Sequence, residues 1–273
     1  MKRILIPCDF SDTSENALNY GVELANYFSA DIILLHSNQI PVMNPEMGLT
    51  AYSMEDINND SLDALKNLAQ KLKLTNAKVG NIEYHSEIGS VEEAVKEAGR
   101  KYSADLIVMG ISGHGSALSK ALIGSAAVSV SKDIEIPVLI VPPGINFGKI
   151  GRIAYACNYD KNIASGLAKV KEFNAAFESS LYILHVVEKG HELNTEEIEV
   201  DNYIERRLDD SPHRTFIISE NKTSEALLAF TKNNAIDLII IEPKKHSLFH
   251  KLFNKSVTED IAFNSTVPVL AIH

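Results

Sequence analysis

The chain has 273 residues, enough for two domains of ordinary size, each with its own core. Hydrophobic residues make up 45%, a globular composition, and no apolar run approaches the ~18 residues that would span a bilayer. The net charge of −10 with no long basic stripe argues against nucleic acid or a membrane as partner.

The opening Met1–Pro7 is too short an apolar start for a signal peptide before Asp9 intervenes, so a cytoplasmic location is expected. Ile4–Pro7 reads as a buried strand with Asp9–Asp12 as its C-terminal loop. Asp12 and Thr13 are cap candidates for a helix whose apolar positions Ala17, Leu18, Gly21, Val22, Leu24, Ala25 and Phe28 follow helical spacing. A second strand is expected over Ile32–His36. After the irregular stretch carrying Pro41, Pro45 and Gly48, a helix is expected over Met54–Leu72, then a third strand over Ala77–His85. Ser90 and Glu93 fit a capping box for a helix over Val91–Tyr102. Leu106–Met109 is the fourth strand, Ser125–Lys132 a helix and Val138–Val141 the fifth strand. Such alternation favours a parallel sheet with helices on both faces. Cys8 and Cys157 each follow an apolar strand and have no metal-ligand spacing, so both read as buried, reduced thiols.

Between the fourth strand and its helix lies a glycine loop with Gly110, Gly113, Gly115 and Gly124. Glycines let a backbone approach an anion without a Cβ in the way, and a helix N-terminus offers unpaired N–H groups. Two familiar phosphate loops fail on spacing. Ser116 stands where a Walker loop needs lysine, and Leu118 stands where a dinucleotide fingerprint needs its last glycine. Spacing alone leaves a phosphate cradle and a close-packed turn both open. The stretch Asp105–Gly110, with Gly113, Gly124 and Ser125, resembles the G-x2-G-x9-G-[ST] nucleotide signature of the universal stress protein family. Ten residues rather than nine separate Gly113 from Gly124, so a one-residue bulge is expected.

The second half repeats the first. Arg3–Phe10 returns as Arg152–Tyr159, Leu34-Leu35-His36 as Ile183-Leu184-His185, Asp105–Val108 as Asp237–Ile240, and Pro137-Val138-Leu139 as Pro268-Val269-Leu270. Repetition on this scale predicts two domains of one fold, 1–143 and 150–273, with the Pro143–Gly148 stretch as linker. The fold class expected is α/β: two tandem, doubly wound, five-stranded parallel-sheet domains of Rossmann-like type, packed as a pseudo-twofold dimer. The resemblance implies contact through the last strands, Val138–Val141 against Val269–Ile272. In the second copy Glu242, Lys245 and Lys255 replace Gly110, Gly113 and Gly124, while Ser256-Val257-Thr258 survives and Asn158 replaces Asp9. A glutamate there would oppose a phosphate, so the second domain is expected to be a structural partner.

Ligand crevices of open α/β sheets lie beyond the carboxyl ends of the strands. That rule makes Asp9 a candidate, with an N-cap role as its alternative. The family resemblance implies that Pro7, Cys8, Asp9 and Ser37 border an adenine and ribose. It implies that Met109, Gly110, Gly113, Gly115, Gly124, Ser125, Ala126 and Ala127 form the phosphate side, with N–H groups supplied by the last four. One ATP per chain is implied, held in domain one with Mg²⁺ as a candidate companion. His36 and His185 recur at matched positions, which suggests a fold-level role. His114 and Lys120 are read as exposed, and Lys244-Lys245-His246 with His250-Lys251 as a solvated basic patch. No grouping supplies a set of catalytic roles. The readings carried forward are an ATP-binding regulatory or stress protein without efficient catalysis, a nucleotide-free protein-interaction module with an unknown protein partner or a homodimer, and a slow ATPase.

Overall fold

The computed structural model describes residues 1–39, 54–76, 78–111, 123–160, 163–243 and 255–273. The first half runs β1 (Arg3–Pro7), α1 (Asp12–Phe28), β2 (Asp31–Asn38), α2 (Met54–Thr75), β3 (Ile82–Ile88), α3 (Val91–Lys101), β4 (Leu106–Gly110), α4 (Ile123–Asp133) and β5 (Val138–Val141). The second half runs β6 (Arg152–Ala156), α5 (Ile163–Phe177), β7 (Ser180–Val187), α6 (Thr195–Arg207), β8 (His213–Ser219), α7 (Thr223–Asn233), β9 (Leu238–Ile241), α8 (Lys255–Asn264) and β10 (Val269–Ala271).

The ten strands form one sheet in the order β3-β2-β1-β4-β5-β10-β9-β6-β7-β8. Each half is a parallel five-stranded sheet, and the two join through β5 and β10, which pair antiparallel with Leu139 opposite Leu270. These two leucines occupy equivalent positions of the repeat, so the pseudo-twofold axis passes between them. Phe28 and Phe177, also equivalent, meet edge-on at 5.3 Å and mark the same axis on one face of the sheet. Strand alternation decides which helix covers which face. Ile4, Ile6, Ile32, Leu34 and Val108 pack under α1 and α2 in one core, with their counterparts under α5 and α6. Leu5, Ile33, Leu35, Ile107 and Met109 pack under α3 and α4 in the other. Each such side chain, fully buried, contributes ~1.5–3 kcal/mol, and both cores run across the domain boundary.

Three local expectations need correction. The third strand begins at Ile82, not Ala77, which lies outside the described residues. The backbone before it is turned inward, with the Gly80 N–H on the Ala30 carbonyl (3.0 Å) and the Asn81 N–H on the Asp31 carboxylate (2.6 Å), so pairing with β2 starts at Ile32 and Ile82. The cap of α1 is Ser11, one residue before the expected pair, and its hydroxyl accepts from the Ser14 N–H at 3.2 Å. Ser90 does cap α3, accepting from the Glu93 N–H at 3.3 Å, but Glu93 reaches back to the Ser90 hydroxyl (3.2 Å) instead of its N–H. The reciprocal box occurs at the start of α6, between Asn194 and Glu197.

The link between the halves is tied down. Asn16 donates to the Pro142 carbonyl (3.0 Å) and accepts from the Gly144 N–H (3.1 Å). Gly144 sits at φ +72°, in the left-handed region where a Cβ is disfavoured. Phe147 then packs against Tyr20, edge-on at 5.3 Å, and beside Tyr27 at 5.9 Å.

Candidate nucleotide site

A crevice of about 280 Å³ opens beyond the carboxyl ends of β1, β2 and β4. It lies where strand order reverses between β1 and β4, the place at which an open α/β sheet leaves room for a ligand. Seven of the residues expected from sequence line it: Pro7, Cys8, Asp9, Ser37, Met109, Gly110 and Ala126. Gly124 and Ser125 fall in the first turn of α4, immediately before Ala126 in sequence. Ala127 is wholly buried in the core beneath α4, which leaves its backbone alone for any ligand contact. Gly113 and Gly115 lie outside the described residues, as do the expected bulge, His114, Lys120 and the basic patch from Lys244 to Lys251.

Sequence reading missed Thr13, Ser14, Leu35, Gln39, Val91 and Val95, which complete the lining. Thr13 and Ser14 come from the first turn of α1, Val91 and Val95 from one face of α3. The same topological rule that selected Asp9 would have found them, since the first turns of the following helices border the same crevice.

Asp9 is not the helix cap. Its Oδ1 accepts from the Ser11 N–H (3.0 Å) and the Ser11 hydroxyl (2.6 Å), while its own N–H donates to the Ser14 hydroxyl oxygen (3.3 Å). Partial burial by itself would raise the carboxyl, but the Ser11 and Ser14 hydrogen bonds outweigh it and hold Asp9 below the usual carboxylate range. The crevice therefore carries an ionised carboxylate. Cys8 behaves oppositely. Burial, then the neighbouring Asp9 charge, pushes its thiol up to about 12, so it is a packed, protonated group and no nucleophile. The Ser37 hydroxyl donates to the Gly89 carbonyl at 2.8 Å, which orients its oxygen. His36 Nδ1 lies 2.6 Å from the Cys8 carbonyl, and His185 Nδ1 lies 3.2 Å from the Cys157 carbonyl. The recurring histidine thus ties the end of the first strand of each domain to the second.

Gly110 has a packing reason of its own. A Cβ there would run into the Thr13 carbonyl oxygen and come 2.8 Å from its methyl, so glycine lets β4 end against the first turn of α1. For this glycine the close-packed turn explains the residue type without an anion. In the second domain Glu242 occupies the same position. Its carboxylate accepts from the Tyr155 hydroxyl, and a Cβ on Gly166 would collide with both. Gly166 stands where domain one has Ala17, and Tyr155 where it has Ile6. A hole has moved from the loop to the helix, and the glutamate fills it. Glu242 was expected to oppose a phosphate from the loop. Instead it is turned into the interface of β6, β9 and α5 because Gly166 leaves space and Tyr155 supplies a donor.

Comparison with known proteins decides the family. The sequence model of the Universal stress protein family matches residues 1–142 and 160–273. The chain belongs to the universal stress protein family. A universal stress protein of Methanocaldococcus jannaschii is 31% identical over 142 residues, 51% of this chain and 81% of the relative. A universal stress protein of Synechocystis is 24% identical over 293 residues, covering 99% of both chains. The solved structure of a universal stress protein from Archaeoglobus fulgidus shares the fold with a TM-score of 0.72 at 20% identity, over 99% of this chain and 95% of that one. A second, from Pseudomonas aeruginosa, superposes with a TM-score of 0.68 at 12% identity, over 100% and 93%. Within this universal stress fold the crevice of the first domain sits where β1 meets β4. At the equivalent strand end of the second domain, Glu242 packs with Tyr155 and Gly166.

Proposed function

We propose that the first domain binds ATP, one molecule per chain, and that the protein is a nucleotide-loaded regulatory or stress-response protein without efficient catalysis. The observation that carries this reading is the crevice itself. It combines apolar walls (Leu35, Val91, Val95, Met109) with an ionised Asp9, the Ser37 oxygen and the first turn of α4 at its rim. Apolar walls with a few placed polar groups suit a base and ribose, and its volume is near the lower end of the ~300–1,000 Å³ common for ligand pockets. Phosphates would extend toward the N–H groups opening α4 and the loop that begins after Gly110. With Asp9 already negative, Mg²⁺ shared between it and the phosphates fits the local charge.

We infer slow turnover as part of the same reading. Hydrolysis needs a group that orients an attacking water and charge that stabilises the transition state. Among the described lining residues Asp9 is the sole charged side chain. Phosphate release well below the ~10 s⁻¹ typical of enzymes is expected. The domain limits we assign are 1–143 and 150–273, the second being a structural partner that binds no nucleotide. No helix among the described residues is long and apolar enough to cross a membrane, in keeping with a cytoplasmic place of action. The test is to quantify nucleotide released from the purified protein and to titrate it calorimetrically with MgATP, ADP and AMP. One ATP per chain is the expected result. A stoichiometry of two, or none, overturns the proposal.

A further inference from the structure

The pseudo-twofold axis creates two equivalent clefts at the amino ends of the strands, and the single linker can occupy one. In the first, α1 presents Tyr20, Leu24 and Tyr27 toward the start of domain two, and Phe147 of the linker is seated among them. Tyr20 and Leu24 are 3% and 1% exposed. Burial, then the neighbouring Asp237 charge, raises the Tyr20 hydroxyl. In the second cleft α5 presents Lys169, Phe173 and Ala176 at the matching positions, facing Met1, Asp105 and Pro137. The two frames agree atom for atom. Asp105 Oδ2 accepts from the Lys2 and Arg3 N–H groups (2.6 and 3.0 Å), and Asp237 Oδ2 from those of Gly151 and Arg152 (2.8 and 2.9 Å).

The second cleft is open. It holds a cavity of about 470 Å³, and Phe173 is only half-buried where its counterpart Leu24 is sealed. Ala176 replaces Tyr27, which removes one ring from the wall. We propose that this cleft receives an extended segment of a partner protein carrying an aromatic side chain, seated as Phe147 is in the first. The molecule holds its own example: the equivalent pair of elements, related by the axis, is filled by residues 145–150, whose Phe147 packs on Tyr20 and Tyr27 while Ile145 and Ile150 join the same core. Phe173 supplies an apolar floor. Lys169, whose ammonium hydrogen-bonds the His273 carbonyl, supplies a cation for an aromatic face. Aromatic anchors in such pockets dominate binding energy.

The probe is a fluorescein-labelled peptide of the linker's own sequence, Gly-Ile-Asn-Phe-Gly-Lys-Ile, titrated with the full chain and followed by anisotropy. Saturable binding is expected, weakened at least about tenfold when the peptide's phenylalanine is replaced by alanine. Ala176→Tyr closes the second cleft at an exposed position, so it should abolish binding and leave the thermal midpoint unchanged. Phe173→Ala removes the floor and should weaken binding likewise. Three results overturn the proposal: no saturable binding; binding that survives both variants, which would mean the peptide displaces the linker from the first cleft; or a wild-type dimer that Ala176→Tyr converts to monomer, which would mean a second copy covers the site.

Discussion

The two crevices show how one fold can keep its core and change a site by exchanging volumes. In domain one the first residue after the strand-four apolar run is glycine and the facing helix carries Ala17. In domain two the loop carries Glu242 and the helix carries Gly166, with Tyr155 in place of Ile6. A carboxylate and a phenol occupy the place where domain one has Gly110 and Ile6, and they are tolerated because each satisfies the other. Burial first, with the Cys157 and Glu242 charges adding, drives the Tyr155 hydroxyl well above its ordinary pKa, so it remains a donor.

The largest effect should separate the two sites by ligand. Gly124→Val puts a branched Cβ at the opening of α4 and should weaken ATP binding by about a hundredfold or more, roughly 3 kcal/mol. Lys255→Val at the equivalent place should leave the calorimetric affinity unchanged. Equal losses from both would erase the distinction between the domains. Next in size is stability. Glu242→Ala strands the buried Tyr155 hydroxyl and should lower stability by about 1–3 kcal/mol in denaturant unfolding. Gly110→Ala, pressed against Thr13, should cost about as much. Combining Glu242→Ala with Tyr155→Phe should recover part of the loss, because both partners of the hydrogen bond are then gone. Strict additivity would argue that the pair does not interact.

How far these features were legible depended on whether they were local. Short apolar runs placed β5 at Val138–Val141 to the residue and the fixed offset placed its counterpart β10, while their pairing was what the family resemblance implied. Of the crevice residues at strand ends, Asp9 was legible from its place after a strand, and Pro7, Cys8 and Ser37 from the family resemblance. The first turns of α1 and α3 were legible through the topological rule alone, since nothing in Thr13 or Val91 themselves marks a residue that faces a ligand. Glu242 was misjudged because sequence displays its charge but not the hole at Gly166, which only folding brings next to it. Gly110 carried a phosphate reading from its loop, whereas its size is explained by Thr13 on another element.

Smaller effects should appear in acid. Burial, outweighing the Cys157 carbonyl and Glu197, lowers the His185 pKa from its ordinary 6.5. Below 6.5 the unfolded chain gains a proton that the folded one refuses, so stability is present above that value and falls as pH drops toward the folded pKa. Thermal midpoints between pH 7.5 and 5.5 should therefore decline more in wild type than in His185→Phe, a variant that keeps a ring against Tyr159, stacked at 4.1 Å. The smallest term belongs to Asp9. Its pKa lies below the ordinary 3.8, so its contribution is present above that value and fades as pH falls through the folded pKa. Asp9→Asn, which copies Asn158, should flatten the midpoint curve below about pH 4 and nowhere else. A change in slope near neutrality would contradict this assignment.

The antiparallel pairing of β5 with β10 has a consequence for how the two halves can evolve and persist. In a dimer of separate copies, every substitution is made twice, and a change that ruins a site ruins both. Here the partners are encoded in tandem, so one site can be retired while the other is retained. The tether also holds the halves together at an effective concentration on the order of millimolar, which makes their association independent of how much protein a cell contains. Dilution that would dissolve a weak dimer leaves this sheet whole.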